Sequence, residues 1–133
     1  MAAVTIIDNP VVTLWYHPDK RIVHHKVHKF LAGKDFRELL LRGSDVLKKH
    51  MATKWLSDDR GNQVLVKADV DWSEAEWAPQ TARAGWKSWA IVRPEKVLAS
   101  VAMEGLVKKY ASLGVTAKIF ADPREAMAWL EQQ

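Results

Sequence analysis

The sequence contains no cysteine, which excludes disulfide bonds, thiolate metal ligands and a cysteine nucleophile. It also contains no apolar run close to the ~18 residues that a membrane-spanning helix needs. The chain does not open with a charged segment followed by an apolar run, which would mark a secretion signal. These absences predict a cytoplasmic protein without a membrane span.

Glycine is scarce, and the six glycines stand singly, at positions 33, 43, 61, 85, 105 and 114. This spacing contains neither a phosphate-binding loop nor a dinucleotide fingerprint. The Gly-x-Ser-x-Gly elbow of a serine hydrolase is missing as well. We therefore assign no catalytic residue and no cofactor from the sequence, and a non-enzymatic role is favoured.

The histidines do not predict a metal site. His24 and His28 share one face of a predicted strand but lie about 13 Å apart along it. His25 points to the opposite face, and His17 lies in a turn. A closed metal site needs three or four convergent ligands. We expect half-buried strand histidines, each with one ring nitrogen in water, and no metal.

The chain has only a small excess of positive charge, since 20 basic and 16 acidic residues give a formal charge of +4. Lys48, Lys49, Lys108 and Lys109 lie near the ends of predicted helices, where positive charge complements the helix dipole. Basic residues interleaved with aromatic residues, the pattern of a nucleic-acid interface, are not visible. No nucleic-acid partner is predicted.

Hydrophobic periodicity predicts three strands followed by four helices that alternate with three more strands. The predicted strands cover residues 4–7, 11–16, 21–30, 53–57, 86–92 and 115–120. The predicted helices cover residues 34–51, 71–85 and 101–113, with a last one after the Asp122-Pro123 cap. Asp71 and Glu74 form a capping-box pattern, and Pro79 should kink or restart the helix. The order predicts an α/β fold whose mixed sheet begins with an antiparallel meander.

The loop after the fourth predicted strand is the candidate site. Its candidate residues are Asp58, Asp59, Arg60 and Asn62, together with Ser57 at the end of the strand, and ligands collect at the carboxyl ends of strands in open α/β sheets. Because neighbours on an extended chain point in opposite directions, one aspartate can pair with Arg60 while the other faces a ligand. The alternative is simple turn formation by Asp, Gly and Asn.

Seven tryptophans are many for 133 residues. Trp72, Trp77 and Trp86 frame the helix that follows the acidic loop. They can pack between helix and sheet, line an aromatic-walled pocket beside Asp58 and Asp59, or form an exposed patch that buries a second subunit.

The element order and three segments resemble the SpoIIAA-like (STAS-like) family of small bacterial domains. The segments are Phe120-Ala121-Asp122-Pro123-x-x-Ala126-x-x-Trp129-Leu130, Trp89-Ala90-Ile91-Val92 and Lys54-Trp55-Leu56-Ser57-Asp58-Asp59. The resemblance covers residues 1–133 as a single domain and implies helices mainly on one face of the sheet. Relatives of this fold include anti-sigma-factor antagonists, cytoplasmic domains of anion transporters and CRAL-TRIO lipid-binding domains.

What the resemblance implies about function is a regulatory or protein-interaction module with a protein partner or a second copy of the chain. In the antagonists a loop serine is phosphorylated to release the partner. Here Asp58 and Asp59 stand where the hydroxyl is needed, and Ser57 precedes them. The alternative is a domain for a small hydrophobic ligand or lipid, which needs a cavity of at least ~300 Å³. An enzyme that pairs Asp58 or Asp59 with His24 or His28 ranks last.

Overall fold

A computed structural model describes residues 2–62, 64–98 and 100–133, and in these residues six strands form one mixed sheet flanked by four helices. The strands are β1 Val4–Asp8, β2 Val12–His17, β3 Ile22–Val27, β4 Lys54–Asp58, β5 Ser88–Val92 and β6 Thr116–Phe120. Helices α1 Gly33–Lys49, α3 Val101–Ala111 and α4 Pro123–Glu131 are regular. Helix α2 consists of Lys67–Trp72, a π-helical turn Ser73–Trp77, and Ala78–Arg83.

The strands lie in the sheet in the order in which they occur in the sequence. β1, β2 and β3 are antiparallel neighbours, and β3 to β6 are parallel. Each of β4, β5 and β6 follows a helical crossover, which returns the chain to the same end of the sheet. The predicted element order, the α/β class and the N-terminal meander are confirmed.

Two apolar layers cover the two faces of the sheet. The larger contains buried side chains of α1, α2 and α3, among them Leu39, Leu47, Trp77 and Tyr110, together with Trp55 and Trp89 of the sheet. The smaller lies under α4 and consists of Ile22, Leu56, Ala90, Val92, Phe120, Ala126 and Leu130. Three helices therefore share one face and α4 alone covers the other, as expected. In the described part of the chain, no helix combines the length and apolarity needed to cross a lipid bilayer.

The start of α2 is where the sequence prediction is wrong. Asp71 does not cap a helix; it lies inside α2 and accepts a hydrogen bond from Lys67 one turn earlier (2.7 Å). The helix begins four residues before the predicted cap because buried Asp69 accepts the Gly33 backbone N–H (2.8 Å) and ties this turn to the start of α1. Pro79 stands in the first turn of the segment after the π-helical turn, and the backbone stays right-handed helical at Trp77 and Ala78, so α2 continues through this point.

Two predicted strands are too long at their ends. β3 ends at Val27, although the His28 N–H still donates to the Val11 carbonyl just before β2 (2.7 Å). Trp86 precedes β5, since Gly85 bends the chain with a φ of +117°. Trp86 is buried in the larger layer together with Trp89. The two indole rings pack against each other there, with their centroids 5.2 Å apart.

A glycine sets the distance between α1 and the sheet. Gly43 lies over fully buried Trp55, and a Cβ at position 43 would lie 2.3 Å from the indole ring. No carbon can approach an aromatic ring this closely without displacement of one of them. The tryptophan therefore fills the space that a larger residue in α1 would occupy.

We predict that Gly43→Ala lowers the free energy of unfolding by about 1–3 kcal/mol, because the clash outweighs alanine's helix preference of about 1 kcal/mol. Gly105→Ala in α3 is the matched control, since a Cβ there meets no atom within 4 Å. That variant should gain up to about 1 kcal/mol. Urea unfolding measures both, and equal effects of the two substitutions would contradict the close approach of α1.

Candidate functional site

A cavity of about 110 Å³ lies between the sheet and helices α1 to α3. It borders the carboxyl ends of β4 and β5, where the sequence placed the candidate site. Most of its wall is apolar and includes Leu39, Leu40, Trp77, Trp89, Ile91 and Leu106. A few polar side chains from the strand ends interrupt this wall, and this composition is typical of small-molecule sites.

Asp58 is turned away from this cavity. It is buried, and its two carboxylate oxygens accept hydrogen bonds from Nε (2.9 Å) and Nη2 (2.7 Å) of Arg60. Burial alone would raise the pKa of Asp58, but the hydrogen bonds and charge of Arg60 outweigh it and hold the pKa below its ordinary value. The pair closes the loop locally, so Asp58 and Arg60 have a structural role.

Asp59 lines the cavity and ends a buried chain of hydrogen bonds. The Trp55 indole N–H donates to Nδ1 of His25 (3.1 Å), and Nε2 of His25 lies 2.8 Å from Oδ1 of Asp59. Because an indole nitrogen only donates, Nδ1 must be unprotonated and Nε2 carries the ring proton. His25 is only 3% exposed, so this chain orients the Asp59 carboxylate from within the core.

Two residues of the loop that follows β4 hold it close to the segment that follows β3. Asn62 is buried, and its amide accepts from the Leu31 N–H (3.1 Å) and donates to the Leu31 carbonyl (3.2 Å). Gly61 lies so close to the Val27 carbonyl that an added Cβ would stand 2.2 Å from the oxygen. Ser57 lies inside β4, lines the cavity and accepts from the Trp89 indole N–H (2.8 Å).

The three candidate tryptophans, Trp72, Trp77 and Trp86, lie in three different surroundings. Trp77 lines the cavity, and its N–H lies 3.0 Å from the Leu40 carbonyl. Trp86 is buried in the aromatic core, with its ring centroid 5.9 Å from that of Trp55. Trp72 is half-buried and stacks under the guanidinium of Arg37. The three side chains form neither a continuous pocket wall nor an exposed patch.

Arg93 and His25 are site residues that the sequence reasoning missed. Arg93 directly follows β5 and lines the cavity, and its Nε–H is buried without a hydrogen-bond partner among the described residues. An unmet buried donor costs about 1–3 kcal/mol, and more on a charged group. The position of Arg93 in the sequence could have indicated it, because Arg93 directly follows a strand that is parallel to the one ending in Asp58.

The other strand histidines lie away from this cavity. Nε2 of His17 is 3.0 Å from Nδ1 of His24, and Nε2 of His28 is 2.8 Å from the Thr13 hydroxyl. The histidine that meets an acid of the loop is therefore His25, neither of the two that the enzyme hypothesis named. Both ring nitrogens of His25 are engaged, so it has no nitrogen left to accept a proton from Ser57. Within the ranges described, no group of three or more His, Asp or Glu side chains could hold a metal ion.

Comparisons with known proteins do not identify this chain: no protein-family model, no curated protein and no solved structure matches it. The resemblance to the SpoIIAA-like family therefore stays a prediction.

The hydrogen-bond chain predicts the tautomer of His25. In a long-range ¹H–¹⁵N spectrum, Nε2 should show the shift of a protonated ring nitrogen and Nδ1 that of an unprotonated one. Trp55→Phe removes the indole donor and should leave buried Nδ1 unmet, at a cost of about 1–3 kcal/mol in stability. A proton on Nδ1 in the native protein would show that the chain of hydrogen bonds is wrong.

The His17–His24 pair predicts acid sensitivity. Burial, together with the neighbouring His17 and His25, lowers the pKa of His24 to about 3. Unfolded His24 takes up its proton near pH 6.5, so between pH 6.5 and 3 the unfolded state binds more protons. The free energy of unfolding should therefore fall as the pH falls through this window, by at most about 1.4 kcal/mol per pH unit from this residue.

Two variants test the contribution of His24 to the pH dependence of the free energy of unfolding. His24→Phe keeps a ring against Trp15, whose centroid lies 4.7 Å from that of His24, and should have a shallower pH dependence than the native chain. His28→Gln, at an exposed position of the same segment, is the control and should keep the native slope. Urea unfolding at several pH values between 4 and 7 gives the slopes. Identical slopes for the native chain and His24→Phe would refute the assignment.

Proposed function

We propose that this chain binds a compact organic molecule in the cavity beside Asp59. The observation that carries the proposal is a mostly apolar cavity at the carboxyl ends of parallel strands, with polar groups only at the strand ends. Ligands of open α/β sheets bind at this edge. Its wall is already held in place, since His25 fixes Asp59 and Trp89 is hydrogen-bonded to Ser57.

The volume limits the ligand. At about 110 Å³ the cavity is smaller than the ~300 Å³ expected from the sequence for a drug-sized ligand or lipid. A dry cavity of about 150 Å³ accepts benzene, so this one suits an apolar group of about four to six heavy atoms. This volume is too small to enclose the acyl chain of a membrane lipid. We therefore narrow the small-molecule alternative to compact ligands.

A protein-interaction role is a second proposal, but on a different surface from the one the sequence indicated. Asp58 is paired with Arg60 and Asp59 with His25, so these acids do not present a free acidic face. Ser57 is 2% exposed, and a kinase cannot reach its hydroxyl in this conformation. What favours a partner is the exposed apolar segment Val64, Leu65 and Val66, next to the cavity.

The small-molecule proposal predicts binding of a neutral probe. 3-Methylbutan-1-ol has six heavy atoms and should bind with a dissociation constant on the order of 1 mM, well within the affinity ceiling for so small a ligand. A ¹H–¹⁵N titration should shift the indole N–H signals of Trp77 and Trp89. The Trp129 signal should not move, because Trp129 packs on the opposite face of the sheet.

Two matched substitutions test where the probe binds. Val70→Phe places a ring at a cavity-lining position of α2 and should abolish the shifts at Trp89. Leu41→Phe adds the same ring at an exposed position of α1 and should leave them unchanged. The proposal fails if the native chain shows no saturable shift at Trp89, or if Val70→Phe binds the probe as well as the native chain.

A further inference from the structure

We infer that the ligand of this cavity is a compact monocarboxylate, held by the guanidinium of Arg93 with its apolar body in the cavity. The inference rests on the proposed small-molecule function and adds the chemical class of the ligand. Its basis is a cation on the cavity wall whose buried Nε–H has no partner among the described residues.

The backbone of Arg93 is fixed. Its N–H donates to the Phe120 carbonyl (2.9 Å), which continues the pairing of β5 with β6 by one residue. On the other side, the Asp59 N–H donates to the Val92 carbonyl (3.0 Å). Arg93 and Asp59 therefore leave adjacent strands at the same edge, and both line the cavity. A side chain that starts from so fixed a backbone can hold a ligand in one orientation.

The charges on the cavity wall favour an anion. Glu74 pairs with Lys109, and Asp59 accepts a hydrogen bond from the neutral ring of His25, so neither acid of the lining forms an ion pair with Arg93. Arg93 takes part in none of the ion pairs between described residues. An anionic ligand would neutralise this charge and give Nε–H its acceptor.

Size and charge then favour a carboxylate over a phosphate. A guanidinium binds a carboxylate through two parallel hydrogen bonds, and one carboxylate balances one guanidinium. A phosphate monoester carries nearly two negative charges at pH 7 and would meet Asp59 on the same wall. The apolar wall and the volume of about 110 Å³ fit a branched chain of a few carbons. Ser57 accepts from Trp89, which leaves its own O–H as a second donor on the lining.

The experiment compares isovalerate with its neutral isostere isovaleramide at pH 7, by the Trp89 indole N–H shift with Trp129 as the internal control. Isovalerate should bind the native chain at least tenfold more tightly than isovaleramide. Arg93→Met, which keeps the length of the side chain but removes its charge, should abolish this preference by weakening the binding of isovalerate much more than that of isovaleramide. Arg93→Lys should keep part of it, because an ammonium retains the charge but lacks the planar fork.

The outcomes separate the inference from the proposal on which it rests. Equal binding of isovalerate and isovaleramide by the native chain would overturn the carboxylate inference and leave the small-molecule proposal standing. Tighter binding of methyl phosphate than of isovalerate would also overturn it. If none of these probes nor 3-methylbutan-1-ol shifts Trp89, the proposed function itself fails. The comparison within the native chain does not depend on whether Arg93→Met folds.

Discussion

The indole of Trp55 is the contact on which both the core and the site depend. Its ring fills the space under Gly43 and packs edge-on against Trp77, with centroids 5.3 Å apart. Its N–H is the donor that fixes His25, which in turn holds Asp59 at the cavity. One side chain therefore both packs the core with its ring and orients the polar groups of the site with its N–H. A shift of α1 or α2 that moved this ring would be transmitted through His25 to the carboxylate.

Because side chains alternate along a strand, the carboxylates of Asp58 and Asp59 point to opposite faces of the sheet. Asp58 is the last residue of β4 and accepts hydrogen bonds from Arg60. Asp59 accepts a hydrogen bond from His25 on the side of the cavity. Two carboxylates in sequence therefore contribute only one to the cavity. That one is hydrogen-bonded to the neutral ring of His25, and no ion pair between described residues includes Arg93.

The sequence was sufficient for features that depend on local order. Alternating periodicity predicts the order of strands and helices, and the geometry of an extended chain predicts the division between Asp58 and Asp59. It was insufficient where a tertiary contact decides. The parallel register that sets His25 opposite Ser57 brings His25 to the loop, and no spacing within the sequence encodes that register. The early start of α2 likewise depends on a bond from Gly33 to Asp69, which local capping rules do not include.

Two departures from ideal structure meet at the cavity, and this coincidence is an argument for function. The first is the π-helical turn Ser73–Trp77 in α2, whose first and last residues both line the cavity. Such turns are rare and concentrate at functional sites. The second is the unmet donor of Arg93. A sequence selected for stability alone would avoid both, since each costs free energy that a regular helix or an apolar side chain would not. Their common position is explained if the wall is shaped for a ligand that supplies the missing acceptor.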